Sequence, residues 1–150
     1  MANIAQTVNV LQAIILTEGE KMVLTPTYHV FDLYQDHMDA RQLDCVVEAE
    51  TVGAGEFSLT GVTASASEKD GKITLTLSNL NADEGEEILV HLKDGEVTAA
   101  EGRILTGRMD QYNDFGKAEL AVEPFADFTV EKGELKVRMP ACSVAELRLS

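Results

Sequence analysis

The stretch LTGVTASASEKDGKITLTLS, residues 59–78, decides the fold. Ile73, Leu75 and Leu77 alternate with Thr74, Thr76 and Ser78, the two-residue period of a strand that buries one face. Lys69-Asp70-Gly71-Lys72 sets an Asp-Gly pair between that strand and the run Leu59 to Glu68, which predicts a tight antiparallel hairpin. Downstream the same period returns. Glu86 to Lys93 carries Ile88, Val90 and Leu92 on one face, and Val97 to Leu105 reads as a further strand. Phe128 to Glu131 and Glu134 to Arg138 flank Lys132-Gly133, a second short hairpin in which Gly133 takes a positive φ at low cost. Ser143 to Leu149 closes the chain with an imperfect alternation of Val144, Leu147 and Leu149. Gly107 to Pro124 is irregular and reads as a long crossing connection.

Upstream, strand-like signal begins at Leu43, with Asp44 to Ala49 as the opening strand, and before it the period is helical. From Thr25 to Met38, Thr25 is placed to cap and Pro26 to occupy the first helical position, where its missing N–H would have had no partner. Tyr28, Phe31, Tyr34 and Met38 then share one face. Short strands at this spacing, with helix confined to one end, point to a mainly β antiparallel sandwich.

Composition bounds the function. The 150 residues, 45% hydrophobic and 25% charged, suffice for one sizeable core. A formal charge of −14 argues against nucleic acid, whose phosphates need clustered Lys and Arg, and against anionic membranes. No apolar run is long enough to span a bilayer. Cys45 and Cys142 lack metal-ligand spacing; they are either a pair brought together by the fold or two buried free thiols.

The N-terminal run supplies a more specific reading. Ala5-Gln6, Val8-Asn9-Val10 and Thr25-Pro26-Thr27-Tyr28-His29-Val30-Phe31 resemble the stretch that closes the catalytic barrel of retaining α-L-arabinofuranosidases of glycoside hydrolase family fifty-one, where a strand end is followed by an apolar loop and a helix. Val137 to Leu147 is similar to the closing strand pair of the same enzymes, with Ala141 at the family's second proline and Ala145 at its commoner valine. Thr74 to Leu80 resembles their strand of pattern LTLVNL. The resemblance implies a jelly-roll-like β-sandwich over residues 41–150, preceded over residues 1–40 by a strand-loop-helix remnant of a (β/α)8 barrel. It implies a fragment of a longer enzyme, whose compartment stays open because a signal peptide would precede the missing part.

Retaining glycosidases need two carboxyl groups about 5 to 5.5 Å apart. By resemblance both catalytic glutamates lie at the ends of earlier barrel strands, ahead of Met1, so no catalytic residue is assigned here, and most of the 26 acidic residues read as solvated charge. Gln6 matches a glutamine that in the family contacts the bound arabinofuranose. An amide suits sugar hydroxyls because it donates and accepts, and the alternative is a polar strand-end residue. Asn9 stands as a turn residue that could orient the same loop.

His29, Asp32, Asp36 and His37 crowd one helix, but histidines eight residues apart do not match metal-ligand spacing. No metal and no cofactor is expected, and the helix is read with its polar side in solvent. Ser143 has no histidine nearby in sequence and is not read as a nucleophile.

The expected role is therefore an accessory domain, inactive alone, of an enzyme acting on arabinofuranosyl-containing polysaccharide such as arabinan or arabinoxylan. The competing classes are a stand-alone carbohydrate-binding sandwich and an acidic adaptor. The first is weakened by the absence of Trp, which leaves Tyr112 as the one aromatic free to stack on a sugar. Val8, Val10, Leu11, Ile14, Ile15 and Leu16 form an apolar segment expected to fold back on the sandwich or pair with another copy, making the chain a homo-oligomer.

Overall fold

Asp70 and Gly71 have φ of 53° and 77°, the doubly positive turn that matches the right-handed twist of two strands. The computed structural model describes residues 7–11, 13–117 and 119–150. In chain order the elements are β1 (Ile15–Glu18), β2 (Lys21–Leu24), helix α1 (Pro26–Leu33), a 3-10 turn (Gln35–His37), β3 (Arg41–Leu43), β4 (Thr51–Ala54), β5 (Phe57–Thr60), β6 (Val62–Lys69) and β7 (Lys72–Asn79). They continue with β8 (Glu86–Val90), β9 (Ala100–Thr106), β10 (Glu123–Phe125), β11 (Phe128–Glu131), β12 (Glu134–Met139) and β13 (Ser143–Leu149).

A six-stranded sheet in the order β10-β9-β13-β7-β6-β3 faces a three-stranded sheet, β11-β12-β8, and all pairs are antiparallel. The core lies between them. Leu75, Leu77, Ile104, Ala145, Leu147 and Leu149 from the larger sheet meet Leu135, Val137 and Met139 of β12. Strand β12 alternates cleanly, its buried residues separated by exposed Lys136 and Arg138, both of which pair with Glu87 on the outer face. Lys132 and Gly133 also take positive φ, at 54° and 81°, so the second expected hairpin forms with the same two-residue geometry.

Several strands differ from their sequence reading. Asp44 to Ala49 is not a strand: pairing ends at Leu43, and Val46 lies 91% exposed with no strand beside it. The run Leu59 to Glu68 is split at Gly61. Its amide donates to the Glu50 carbonyl at 2.7 Å, and a Cβ there would stand 2.9 Å from that oxygen. Strand β5 consequently belongs to a separate ribbon with β4, while β6 belongs to the sandwich. Val97 is buried but lies ahead of its strand, which starts at Ala100, and Glu123–Phe125 forms an edge strand inside the expected connection. In β13 the core-facing set is Ala145, Leu147 and Leu149 rather than one that includes Val144. The apolar loop near the N-terminus contains the hairpin β1–β2, turned at Gly19 with φ of 58°.

The cysteines do not pair. Both are free, as the second reading had it, but not buried: Cys45 is exposed and Cys142 is half-buried in the turn before β13. Among the described residues no helix is long and apolar enough to cross a membrane.

Leu147 is fully buried on the central strand, and deleting its side chain there leaves a cavity. Leu147→Ala is expected to lower the unfolding free energy by about 2–5 kcal/mol, while Phe57→Ala on the exposed ribbon changes it by less than about 0.5 kcal/mol. Urea unfolding of the two variants beside the parent chain checks this, and equal losses would contradict the assignment of the core.

Candidate functional site

The chain enters the described structure at Thr7, and Gln6 lies outside the described residues. From Thr7 onward the loop is tightly organised. The Thr7 carbonyl accepts from the amides of Ile14 and Ile15 at 3.0 and 3.1 Å, and Val8 forms an isolated parallel bridge with Ile15. Asn9 adopts a left-handed φ of 54°, which asparagine tolerates better than most residues. Its amide nitrogen donates to the Thr17 carbonyl and hydroxyl at 3.1 and 2.9 Å, and its oxygen accepts from the Thr17 amide at 2.7 Å. Asn9 is thus a turn residue that also orients this loop.

Thr25 precedes the helix and Pro26 takes its first position, but the Thr25 hydroxyl makes no cap. It donates instead to the carbonyls of Ala13 and Ile14 at 2.7 and 3.1 Å, tying the loop to the helix start. A third clamp comes from the sandwich. Asn113, in the connection between β9 and β10, is 4% exposed and donates to the Leu24 carbonyl at 2.9 Å. The sequence reading missed Asn113, because an Asn between Tyr112 and Asp114 looks like any loop residue.

The helical segment is turned differently from expectation. Asp32 of α1 and Asp36 and His37 of the 3-10 turn face the larger sheet, Leu33 is fully buried, and Phe31 and Met38 are 38% and 65% exposed. The reason lies on the sheet. The outer face of β13 and its neighbours offers Arg103, Glu146, Arg148, Thr76 and Ser67, groups that only polar partners can satisfy. Arg103 holds Glu146 Oε2 through Nε at 2.6 Å and Nη2 at 2.5 Å, and reaches Asp32 through Nη1 at 3.1 Å. Arg148 Nε lies 2.7 Å from Asp36 and 3.3 Å from Glu146. His37 bridges Ser67 Oγ and Thr76 Oγ1, both at 2.7 Å, one ring nitrogen donating and the other accepting. The aromatic face foreseen for Tyr28, Phe31, Tyr34 and Met38 is therefore not the docking face.

Three carboxyls meet two guanidiniums in this layer, so one carboxyl is short of a cation. Burial pushes the Glu146 carboxyl above its ordinary 4.5; the hydrogen bond from Arg103 opposes this and a hydrogen bond to Asp36 adds to it. Asp36 is pushed up by burial too, but its hydrogen bond with Glu146 and the Arg148 guanidinium outweigh that and hold it below 3.8. Burial lowers His37 below 6.5 against the pull of Asp36, which favours the neutral ring its two hydroxyl partners need.

Carboxyls with opposed shifts resemble an acid and base pair. Glu146 is only 1% exposed beneath the helix, however, and a polysaccharide has no route to it. The layer is an interior joint.

The remaining candidates occupy structural or surface positions. Ser143 is buried with its hydroxyl donating to the Pro140 carbonyl at 2.7 Å, which gives it a structural bond and no base. Tyr112 is 61% exposed and free to stack, as expected. An open cleft of about 430 Å³ lies where α1 meets β9 and β10, lined by Tyr28, His29, Arg103 and Glu123 among others. Among the described residues no group of three or more His, Cys, Asp or Glu is placed to hold a metal ion.

The described residues thus form an antiparallel sandwich with a helical segment held by ion pairs over its larger sheet. The chain belongs to the family described as "Alpha-L-arabinofuranosidase C-terminal domain", whose profile matches residues 1–143. It is 44% identical over 153 residues to the intracellular exo-alpha-L-arabinofuranosidase of Bacteroides ovatus, an alignment covering 99% of this chain and 30% of that protein. The crystal structure of the GH51 arabinofuranosidase from Xanthomonas axonopodis pv. citri matches with a TM-score of 0.94 at 40% identity, over 100% of this chain and 31% of that one. The thermostable GH51 alpha-L-arabinofuranosidase from Thermotoga petrophila RKU-1 matches at 0.81 and 21% identity, over 97% and 33%, a likeness that shows the fold alone. The chain therefore spans about a third of the length of the relatives it matches, and it has the β-sandwich that the resemblance implied.

Glu146 titrates in the folded chain above its unfolded value, so its contribution is fully present below about pH 4.5 and is lost as pH rises through the folded value. Replacing it by Gln removes that loss. The stability of the parent chain relative to Glu146→Gln is expected to decline as pH rises from 4.5 toward neutrality and then level off, read from urea midpoints across pH. Arg103→Met, which strips the main cation from Glu146, is expected to cost about 2–4 kcal/mol, somewhat less than a fully buried pair because about a third of Arg103 remains in water.

Proposed function

We propose that the chain is the C-terminal part of an α-L-arabinofuranosidase that removes terminal arabinofuranosyl groups from arabinan, arabinoxylan or related polysaccharides with retention of configuration. Residues 1–40 are the last strand, loop and helix of the catalytic barrel and residues 41–150 the sandwich that braces it. The observation that carries this reading is the whole-chain match, at 40% identity and a TM-score of 0.94, to a GH51 arabinofuranosidase more than three times as long. The partly exposed layer of Asp32, Asp36, Arg103 and Arg148 around the buried Glu146 supports the bracing role, because it ties the helical segment to the sandwich through ion pairs that share a buried carboxyl.

The catalytic glutamates belong to the remainder of the enzyme, with Gln6 as a substrate contact at the barrel rim. That placement fits the habit of such barrels, which build their sites at the C-terminal ends of the strands. Without a nucleophile and an acid at glycosidase separation the chain alone has no low-barrier route to the oxocarbenium-like transition state. Release of a chromogenic leaving group from an aryl α-L-arabinofuranoside is expected from the full-length enzyme and absent from the purified 150-residue chain. Turnover that follows the chain through purification and is lost on changing one of its own glutamates would overturn the proposal.

Val8 at 45% and Leu11 at 95% exposure, together with Met22 at 64%, leave an apolar rim around the first hairpin. In the isolated chain this rim pairs with a second copy. Light scattering is expected to report an oligomer that becomes a monomer when residues 1–24 are deleted; an unchanged mass would refute the pairing.

A further inference from the structure

We infer that Asn113 is a positioning residue through which the sandwich sets the geometry of the chain at Thr7, an inference that rests on the reading of this strand end as the substrate-binding rim. Asn113 is distant from Leu24 in sequence and almost wholly buried, and each of its side-chain hydrogen-bonding groups is used. The amide nitrogen donates to the carbonyls of Leu24 and Leu120 at 2.9 and 2.7 Å, and the oxygen accepts from the Leu120 amide at 2.9 Å. Only an amide offers two donors and an acceptor on so short a stem. An aspartate would set a carboxylate against two carbonyl oxygens, and an alanine would leave both of them without this partner.

From Leu24 the constraint passes along the first hairpin. Leu24 is the strand partner of Ile15, and the amides of Ile14 and Ile15 both donate to the Thr7 carbonyl. Thr25, next in the chain, is bonded to the carbonyls of Ala13 and Ile14. Thr7 is therefore held by a hairpin that is itself anchored at both the helix start and the sandwich. The hydrogen bonds of the Asn113 side chain go to Leu24 and Leu120; it acts on the loop through β2. Gln6 precedes Thr7 in the sequence, so in the proposed enzyme the hairpin fixes the point at which the chain leaves that residue.

Two measurements on Asn113→Ala and Asn113→Asp separate positioning from general packing. In the 150-residue chain, hydrogen exchange at the Ile14 and Ile15 amides is expected to rise about tenfold or more, with the amides of Leu75 and Leu147 in the sandwich unchanged. Unchanged exchange at Ile14 and Ile15, or a uniform rise across the chain, overturns the inference. In the full-length enzyme, assayed where the variants remain folded, KM for an aryl α-L-arabinofuranoside is expected to rise about fivefold, the worth of one hydrogen bond, with kcat changed by less than about twofold. Unchanged KM overturns it as well. Failure of the wild-type full-length enzyme to turn over the substrate would instead sink the functional reading, and the exchange measurement would still decide whether Asn113 holds the strand end.

Discussion

Glu146 is the constraint on which the arrangement of this chain depends. It sits in the middle of the central strand β13, on the face turned away from the core, and is 1% exposed. A carboxyl there requires partners, since a buried charge without them costs several kcal/mol. Arg103 and Arg148 supply the cations from the sheet, and Asp32 and Asp36 complete the coordination of those cations from the helical segment above. The helix is consequently held by these charges as well as by Leu33, its one fully buried side chain. Such a joint has a narrow geometric tolerance, because every bond in it is directional and none can slide as a hydrophobic contact can.

This orientation turns Phe31 and Met38 outward, on the same stretch of chain as the exposed Val8, Leu11 and Met22. An isolated domain has little reason to display these side chains. A domain fixed against a larger body does, because the same residues then become interface. The sandwich has a core of its own: its two sheets enclose a contiguous apolar cluster between β7, β9 and β13 on one side and β12 on the other. The chain thus combines a self-sufficient sandwich with a helical segment whose inner face is committed to the sandwich and whose outer face is open. That division of faces fits the bracing role proposed above, and the Asn113 side chain bonds the β9–β10 connection to the end of β2.

Much of the sandwich was legible because its strongest signals are local. Asp70-Gly71 and Lys132-Gly133 announce turns whose positive φ values few residue pairs adopt as readily, and the alternation in residues 134–139 follows directly from a pleated strand with one buried face, whereas in residues 73–78 the polar set Thr74, Thr76 and Ser78 is buried too. Where the sequence misled, pairing partners were the missing information. Val46 and Val47 favour strand by propensity, yet no neighbouring strand lies within reach of them, so they remain irregular and exposed or partly so. Gly61 interrupts what looks like a continuous strand because its backbone approaches that of Glu50, a contact invisible in one dimension.

By itself, the sequence determined the class of the fold, the hairpins at Asp70-Gly71 and Lys132-Gly133, the helix start at Pro26 and the family resemblance, all of which rest on residues close together in the chain. The tertiary structure alone decided which side of the helix is inside and which polar residues form the joint. Asp32 and Arg103 are 71 residues apart and Asn113 and Leu24 are 89 apart. Periodicity assigns a face by assuming that apolar residues go inward, and that assumption fails where the surface to be covered is itself charged. His29, Asp32, Asp36 and His37 read as a solvated stripe for that reason; only the presence of Glu146, Arg148 and Thr76 opposite them turns the stripe inward.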